Sequence, residues 1–345
     1  MTTPWHRIES FAAQFSRCAV TAGQTAVVLT ETESRSELVA AATTALDFLG
    51  AHPVTVTLPT PPNPGPVPIR STGASVALAG HPAALAALKA ADFVVDCTVE
   101  GLLHAPELPE ILGGGTRVLM ISNEHPEVFD RLAYDPTLVE RVQKGRDVLA
   151  AATQMQVTSP AGTNLTIDLA GAVCAGSAGV VAEAGDIAHW PGGLVLAFPA
   201  AGTVNGTVVM APGDVNLTFK EYLRSFITLT IENDFITDIQ GDGLDAELFA
   251  SYLAAWQEPE AYAISHVGWG MNHQCRWDAL PLYDKADING TELRAFAGNF
   301  LWSTGANETA NRFCRGHFDL PMRDCTVALD GQPVVIDGQL VDGLA

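Results

Sequence analysis

The segment CRGHFDLPM, residues 314–322, places His317 and Asp319 two positions apart. In a β-strand, residues i and i+2 point to the same face, so the imidazole and the carboxylate would converge while Phe318 faces the other way. Such a pair supplies two ligands of a 2-His-1-carboxylate site, the arrangement that leaves open positions on non-haem Fe(II) for substrate and O₂. The spacing is also compatible with a buried histidine that a neighbouring carboxylate holds in place.

The best third ligand is His266, in the segment AISHVGWGMNH. A short apolar run leads into this histidine, and we interpret the Gly-Trp-Gly that follows as a turn whose glycines allow close approach of another backbone. The alternative is a histidine hydrogen-bonded in a tight corner. His273 competes as a ligand, but it follows the predicted turn and is expected at the surface.

Four other side chains suit the handling of a polar substrate. His104 follows the run DFVVDCT, and open α/β sheets bind ligands at the C-terminal ends of such strands. His189 lies beside a tryptophan and a turn in DIAHWPGG. Either imidazole suits general acid–base chemistry, and either is also explained as a hydrogen-bonded structural histidine.

Arg294 and Ser303 lie in ELRAFAGNFLWSTGANETANRF, a segment of small and polar residues around aromatics. Arg294 suits an anionic or carbonyl oxygen, with an ion pair to an acidic residue as the alternative. Ser303 suits donation to a substrate oxygen. No G-x-S-x-G elbow surrounds this serine, so we do not expect it to be a nucleophile.

The first half of the chain alternates short apolar runs with helical patterns. Strands are predicted at TAVVLT, HPVTVTLP, DFVVDCT and TRVLMIS, and helices at SELVAAATTALDFLG and HPAALAALKAA. Continuous apolar strands separated by helices are typical of a mainly parallel sheet covered on both faces. We therefore predict a Rossmann-like α/β domain over residues 1–153, with a proline-rich surface loop over residues 59–73.

The second half alternates apolar and polar residues in short runs, which is typical of half-buried antiparallel strands. Examples are MQVTSPAGTNLTIDLAG, ITLTIENDFITDIQG and CTVALDGQPVVIDGQ, with one helix predicted at DAELFASYLAAW. The sequence thus predicts a β-rich α+β domain over residues 154–345, and this domain holds the three candidate metal ligands.

Composition excludes several function classes. The net charge of −21 argues against nucleic-acid binding, because a phosphate-binding surface needs clustered lysine and arginine. No signal-peptide pattern and no long apolar run is present, so we expect neither secretion nor a membrane span. The six cysteines are scattered without a CxxC pair, which favours reduced thiols in a cytoplasmic protein over a thiolate metal site. The glycines at 113–115 lack the features of a nucleotide-binding loop.

The motifs LLHAPEL, HWPGG, ISHVGWG, RAFAGNFLWSTGAN and HFDLPMRDC occur in this order along the chain. Together they resemble the 2,5-dihydroxypyridine 5,6-dioxygenases, Fe(II) enzymes that open the ring in nicotinic acid breakdown. That family is related to the M29 aminopeptidases, whose N-terminal α/β domain is followed by a metal-binding domain. The resemblance implies the same two-domain fold here.

The peptidases bind two metals, and two of their glutamates are replaced in this chain. Leu194 stands where a glutamate follows their Pro-Ser-Gly turn, and His266 stands where another precedes a Gly-Ile-Gly turn. These changes remove the carboxylate bridge that a two-metal hydrolase needs, while two imidazoles and one carboxylate suit a single Fe(II). The resemblance therefore favours the dioxygenase. The alternatives are an M29-like metallo-aminopeptidase and a non-catalytic protein that binds a metal or small molecule.

Carried over to this chain, the resemblance implies His266, His317 and Asp319 as iron ligands. It implies proton-handling roles for His104 and His189. It also implies substrate contacts for Arg294 and Ser303, a hydroxypyridine substrate with O₂, the product N-formylmaleamate and a homo-oligomer. The chain departs from the family at Ala188, where an aspartate is expected before the His-Trp-Pro turn, and over residues 174–187.

Overall fold

The computed structural model describes residues 3–63, 75–132 and 134–345. Most of the predicted proline-rich loop over 59–73 lies outside these ranges. Helices and strands alternate in the first half, in the order α1 (Trp5–Arg17), β1 (Thr25–Glu31), α2 (Ser36–Phe48), β2 (His52–Leu58), α3 (Pro82–Lys89), β3 (Phe93–Asp96), α4 (Leu108–Gly113), β4 (Arg117–Met120), α5 (Pro126–Arg131) and α6 (Leu138–Ala151).

The second half is mainly strands: β5 (Gln154–Thr158), β6 (Asn164–Asp168), β7 (Val173–Ser177), β8 (Ile187–His189), β9 (Leu194–Phe198), β10 (Val204–Met210), β11 (Val215–Asn216), β12 (Glu221–Tyr222), β13 (Ile227–Glu232), β14 (Phe235–Gln240), α7 (Leu244–Trp256), β15 (Ile264–Gly270), α8 (Thr291–Ala295), β16 (Phe300–Asn307), β17 (Arg312–Met322), β18 (Thr326–Leu329), β19 (Gln332–Ile336) and β20 (Gln339–Leu340). Short 3₁₀ helices span Pro259–Tyr262, Trp277–Leu282, Lys285–Asp287 and Glu308–Ala310.

The parallel sheet has the strand order β2-β1-β3-β4-β8 in the described part of the chain. Its two faces are both covered, because alternate residues of β1 enter different apolar clusters. Val28 belongs to the cluster that contains Phe11 and Phe15 of α1, whereas Leu29 belongs to the cluster that contains Leu88 of α3. Burial on both faces explains why these strands read as continuous apolar runs, and the predicted α/β class is confirmed.

The fifth strand of this sheet comes from beyond the predicted boundary at residue 153. After three strands of the second half, β8 returns to pair in parallel with β4, with His189 opposite Met120. Val181, Ala188 and Trp190 enter the apolar cluster under α1. Three residues are too few for a strand pattern to be visible in the sequence, and their environment is supplied by distant segments.

The other strands of the second half form two large antiparallel sheets and a two-stranded one, β11-β12. One has eight strands, in the order β14-β13-β10-β6-β5-β18-β19-β20, and the other has the order β17-β16-β15-β9-β7. The second sheet carries all three candidate metal ligands, on β15 and β17. None of the helices in the described ranges has the length and apolar content needed to cross a lipid bilayer.

The predicted Gly-Trp-Gly turn after His266 is wrong, because β15 continues through Gly270 and pairs with β9 and β16. The close approach that the glycines suggested is present. A Cβ on Gly268 would lie 1.9 Å from the carbonyl oxygen of Val195, and one on Gly270 would lie 2.1 Å from that of Phe296. The glycines therefore allow the strand to pack against its neighbours.

Candidate metal centre

The segment around His317 is a strand, β17, in which His317 and Asp319 are both buried. Phe318 lies between them and points into the core, where its ring contacts those of Phe249 and Tyr252. Nε2 of His317 lies 3.2 Å from Oδ1 of Asp319. The two-residue spacing thus brings imidazole and carboxylate together on one face, as strand geometry requires.

His266 of β15 completes the cluster. Its Nε2 lies 3.2 Å from the same Oδ1 of Asp319, and one ligand atom from each of the three residues lies within 4.8 Å of the others. The pairing of β15 with β16 is irregular between Ile264 and Val267. At this irregularity the backbone N–H of His266 donates to Oγ of Ser303 at 3.1 Å.

The geometry of the cluster fits a cation. Oδ1 of Asp319 is buried without a hydrogen-bond partner among the described residues, although two imidazole nitrogens lie 3.2 Å away. Burial, the largest cause, lowers the pKa of His317 to about 4 despite the charge of Asp319. A neutral imidazole can offer a nitrogen lone pair beside the carboxylate oxygen, and a cation bound among these atoms would be coordinated by them.

Arg294 of α8 holds the other carboxylate oxygen. Its Nε donates to Oδ2 of Asp319 at 2.6 Å, and its Nη1 donates to the carbonyl oxygen of Asn289 at 3.2 Å. Burial alone would raise the pKa of Asp319, but the charge of Arg294, the largest opposing effect, holds this pKa well below its usual range. The ion pair that was the alternative interpretation of Arg294 is therefore formed, and its carboxylate is the candidate ligand.

His104 and His189 lie on two sides of this cluster. The His104 ring centroid lies 5.0 Å from that of His317, and its Nδ1 lies 3.5 Å from Oε1 of Glu308. His189 lines the cavity in front of the ligands. Burial and then the charge of Arg294 lower the pKa of His189 to about 3, so its imidazole is neutral near pH 7.

The cavity is narrow, about 40 Å³, and both halves of the chain line it. The first half contributes Glu100, Leu103 and Ser122, which follow the C-terminal ends of β3 and β4; the rest of the lining is His189, Leu194, Leu196, His266, Asn289, Thr291, Arg294, Leu301, His317 and Asp319. This is the edge at which open α/β sheets bind ligands. Ser303 is fully buried behind His266 and is not part of this lining.

Sequence reasoning missed several lining residues. Ser122 ends one predicted strand and Glu100 follows another, so the strand-end rule that selected His104 would also have selected them. Asn289 and Thr291, just before and at the start of α8, reach the cavity through tertiary contacts alone. His273, the rival to His266, is exposed, as expected for a surface residue.

A parallel α/β unit packed against an antiparallel sheet with a buried His-His-Asp cluster defines an α/β protein with a candidate single-metal centre. The sequence profile of the NicX family, 2,5-dihydroxypyridine 5,6-dioxygenase, matches residues 6–342. The chain therefore belongs to this family. It is 40% identical to a 2,5-dihydroxypyridine 5,6-dioxygenase of Pseudomonas putida KT2440 over 267 residues, which are 77% of this chain and 75% of that protein.

Two solved structures are similar to this chain. The 2,5-dihydroxypyridine dioxygenase structure from Pseudomonas putida KT2440 superposes with a TM-score of 0.92 at 36% identity, over 97% of each chain. AmpT from Thermus thermophilus superposes with a TM-score of 0.64 at 14% identity, over 97% of this chain and 99% of that one. The second similarity shows a shared fold alone.

Proposed function

We propose that the protein is an Fe(II)-dependent dioxygenase that opens the ring of 2,5-dihydroxypyridine, or a close hydroxypyridine, to give N-formylmaleamate. The observation that carries the proposal is the convergence of His266, His317 and Asp319 within 4.8 Å at a cavity, in a member of the 2,5-dihydroxypyridine 5,6-dioxygenase family. The donor set of two imidazoles and one carboxylate is the one that leaves open positions on Fe(II).

His266, His317 and Asp319 would hold the iron. Bound Fe(II) would supply the electron transfer that lets ground-state O₂ react with a closed-shell ring. Arg294 occupies Oδ2 of Asp319 and so directs Oδ1 toward the two imidazoles. This division of the carboxylate supports a site with one oxygen ligand and two nitrogen ligands.

His189 is the better placed of the two proposed proton-handling histidines, because it lines the cavity while remaining neutral. A neutral imidazole can accept the proton of a substrate hydroxyl, and a bound anionic oxygen would favour the charged imidazole that results. His104 lies against the His317 ring, and its Nδ1 lies 3.5 Å from Oε1 of Glu308, so it packs beside a proposed ligand and does not line the cavity.

The apolar lining supports a flat, small substrate. Leu103 comes from the first half of the chain, and Leu194, Leu196 and Leu301 come from the sheet that carries the ligands. Leu194 is buried at the place where the related peptidases carry a glutamate. An apolar side chain there favours contact with a ring and leaves the cluster with one carboxylate, which supports the dioxygenase over a two-metal peptidase.

Metal content and oxygen dependence test this function together. Protein purified under argon is expected to contain about one iron per chain, following the single cluster, and to consume 2,5-dihydroxypyridine only when O₂ is admitted. N-Formylmaleamate is identified by mass spectrometry, and incorporation of both atoms of ¹⁸O₂ establishes a dioxygenase. Two zinc ions per chain with hydrolysis of leucyl substrates would support the peptidase instead, and tight iron binding without turnover would support a non-catalytic binding protein.

Ligand variants test the site. His317→Ala and Asp319→Asn are expected to reduce bound iron to below about a tenth of an equivalent, because either change leaves two protein ligands. The exposed His273→Ala is the matched control and should retain iron. Undiminished iron in His317→Ala would disprove the assignment of this ligand.

The proposal includes a cytoplasmic homo-oligomer. All six cysteines lie in the described ranges and none is in a disulfide, which supports a reducing compartment. Light scattering on the purified protein tests the assembly.

A further inference from the structure

Ser122 has an unusual backbone conformation for a residue with a side chain. It follows the C-terminal end of β4 with a φ of 38°, in the left-handed region that non-glycine residues rarely occupy. Residues held in such conformations are concentrated at functional sites, where surrounding contacts hold them in place.

Hydrogen bonds fix Ser122 from several sides. Its N–H donates to the carbonyl oxygen of Asp96 at 3.0 Å, and its own carbonyl accepts the N–H of Glu124 at 2.9 Å. The Glu124 carboxylate in turn accepts the N–H groups of Gly290 and Thr291 at 3.0 and 2.9 Å. The loop that carries Ser122 is therefore tied both to β3 and to the segment that forms another wall of the cavity.

The hydroxyl of Ser122 is left available by this arrangement. Ser122 lines the cavity, and within the described part of the chain its Oγ makes no hydrogen bond. Gly101 keeps this space open, because a Cβ at position 101 would lie 2.7 Å from that Oγ. The hydroxyl is thus a polar group presented to the cavity by a fixed backbone.

We infer that Ser122 is a specificity-determining residue that donates a hydrogen bond to the 2-oxygen of the dihydroxypyridine. The inference rests on the proposed function. Cleavage between C5 and C6 requires the 5-oxygen to lie at the metal ligands on β15 and β17, so the 2-oxygen lies across the ring from them. Ser122 comes from the parallel sheet, the other unit that lines the cavity.

The test compares two variants and two ligands. Anaerobic calorimetry measures binding of 2,5-dihydroxypyridine and of 3-hydroxypyridine, which lacks the 2-oxygen, to iron-loaded wild type, Ser122→Ala and Ser122→Gly. Both variants are expected to weaken 2,5-dihydroxypyridine binding by about 3- to 10-fold, as loss of one hydrogen bond implies, and to change 3-hydroxypyridine binding by less than about 2-fold.

The pair of variants separates contact from structure. Glycine relieves the left-handed backbone and alanine does not, so a structural role would give different losses in the two variants, in parallel with their unfolding temperatures. In steady-state assays, both variants should show a KM for 2,5-dihydroxypyridine raised by the same factor, with a smaller change in kcat.

If the variants bound both ligands equally more weakly, or bound neither more weakly, the role of Ser122 would be overturned. Turnover by the wild type would in that case still support the proposed function. Absence of turnover and of hydroxypyridine binding in iron-loaded wild type would overturn both.

Discussion

Arg294 and Asp319 form a buried ion pair in which Nε lies 2.6 Å from Oδ2, the carboxylate oxygen that does not face the histidines. Oδ1 faces His266 and His317 at 3.2 Å each. Arg294 thus orients Asp319, a candidate ligand, and compensates its negative charge through the oxygen that faces away from the histidines. Residues that hydrogen-bond to metal ligands commonly have this role.

Replacement of Arg294 by lysine should weaken iron binding. Lysine keeps the charge but lacks the planar group that bonds Asp319 and the Asn289 carbonyl together. We expect a loss of about 10- to 100-fold in Fe(II) affinity, measured by competition with a chelator under argon. Arg276→Lys is the matched control, since Arg276 bonds Asp278 through Nε and Nη2 at the surface. Equal affinities of the two variants would show that the ion pair does not support the ligand.

The Glu124 carboxylate joins the two units of the fold. It is fully buried and accepts N–H groups from Asn289, Gly290 and Thr291, two of which line the cavity. Glu124→Gln should lower the free energy of unfolding by about 1.5–3 kcal/mol, because bonds to a charged acceptor are lost and an amide N–H₂ faces backbone donors. Urea denaturation of the metal-free protein measures this.

The matched control for Glu124 is Glu110→Gln. Glu110 is exposed and forms an ion pair with Lys89, so loss of this ion pair in the variant should change the free energy of unfolding by less than about 1 kcal/mol. The Glu124 variant should also show a raised KM, because the Asn289–Thr291 segment carries cavity residues. If Glu124→Gln were as stable as Glu110→Gln, the hydrogen bonds from the Asn289–Thr291 segment to Glu124 would not stabilise the fold.

Local patterns in the sequence were sufficient for part of this site. The period of a strand places His317 and Asp319 on one face, and the rule for strand ends places His104 near a ligand site. The alternation of apolar runs with helices predicted the parallel sheet, because strands buried on both faces need continuous apolar residues. These features depend on residues that are close in sequence.

The remaining features depend on contacts between distant segments. Three such features have no local pattern in the sequence: the contact of Glu124 with the Asn289–Thr291 segment, the approach of Glu308 to His104, and the return of β8 to the parallel sheet. The turn predicted at Gly-Trp-Gly, where β15 in fact continues, was wrong for the same reason. A glycine indicates close approach, but its neighbour in space decides whether the chain turns or continues as a strand.

Ser303 offers a direct comparison between the sequence prediction and the structure. The sequence predicts a donor to substrate, which stays a prediction; in the structure Oγ of Ser303 accepts the His266 N–H, and Ser303 does not line the cavity. Ser303→Ala leaves that buried N–H without a partner and should lower the free energy of unfolding by about 1–3 kcal/mol. Substrate affinity, measured anaerobically, should change by less than about 2-fold.

Ser10→Ala is the control for Ser303, because Ser10 donates to the Phe129 carbonyl at a half-buried position away from the metal cluster. A large loss of substrate affinity in Ser303→Ala without loss of stability would favour the sequence prediction of a substrate contact.

His189 gives a pH dependence with a defined sign. Burial, followed by the charge of Arg294, lowers its pKa to about 3 in the folded protein, below the ordinary value of 6.5. Between these values the unfolded chain binds a proton that the folded chain does not. This group therefore lowers the free energy of unfolding as the pH falls below 6.5, by up to about 1.4 kcal/mol per pH unit, and contributes no slope above it.

Replacement of His189 by asparagine should remove this contribution. Between pH 6.5 and 4.5 the metal-free variant is expected to lose about 2 kcal/mol less stability than the wild type, because the side chain no longer titrates. Urea denaturation at intervals of one pH unit measures both profiles. His52→Asn is the matched control, since it makes the same change at an exposed position at the start of β2. Parallel profiles for His189→Asn and the wild type would mean that the pKa of His189 is not lowered in the folded protein, and burial would then not be what keeps this imidazole uncharged.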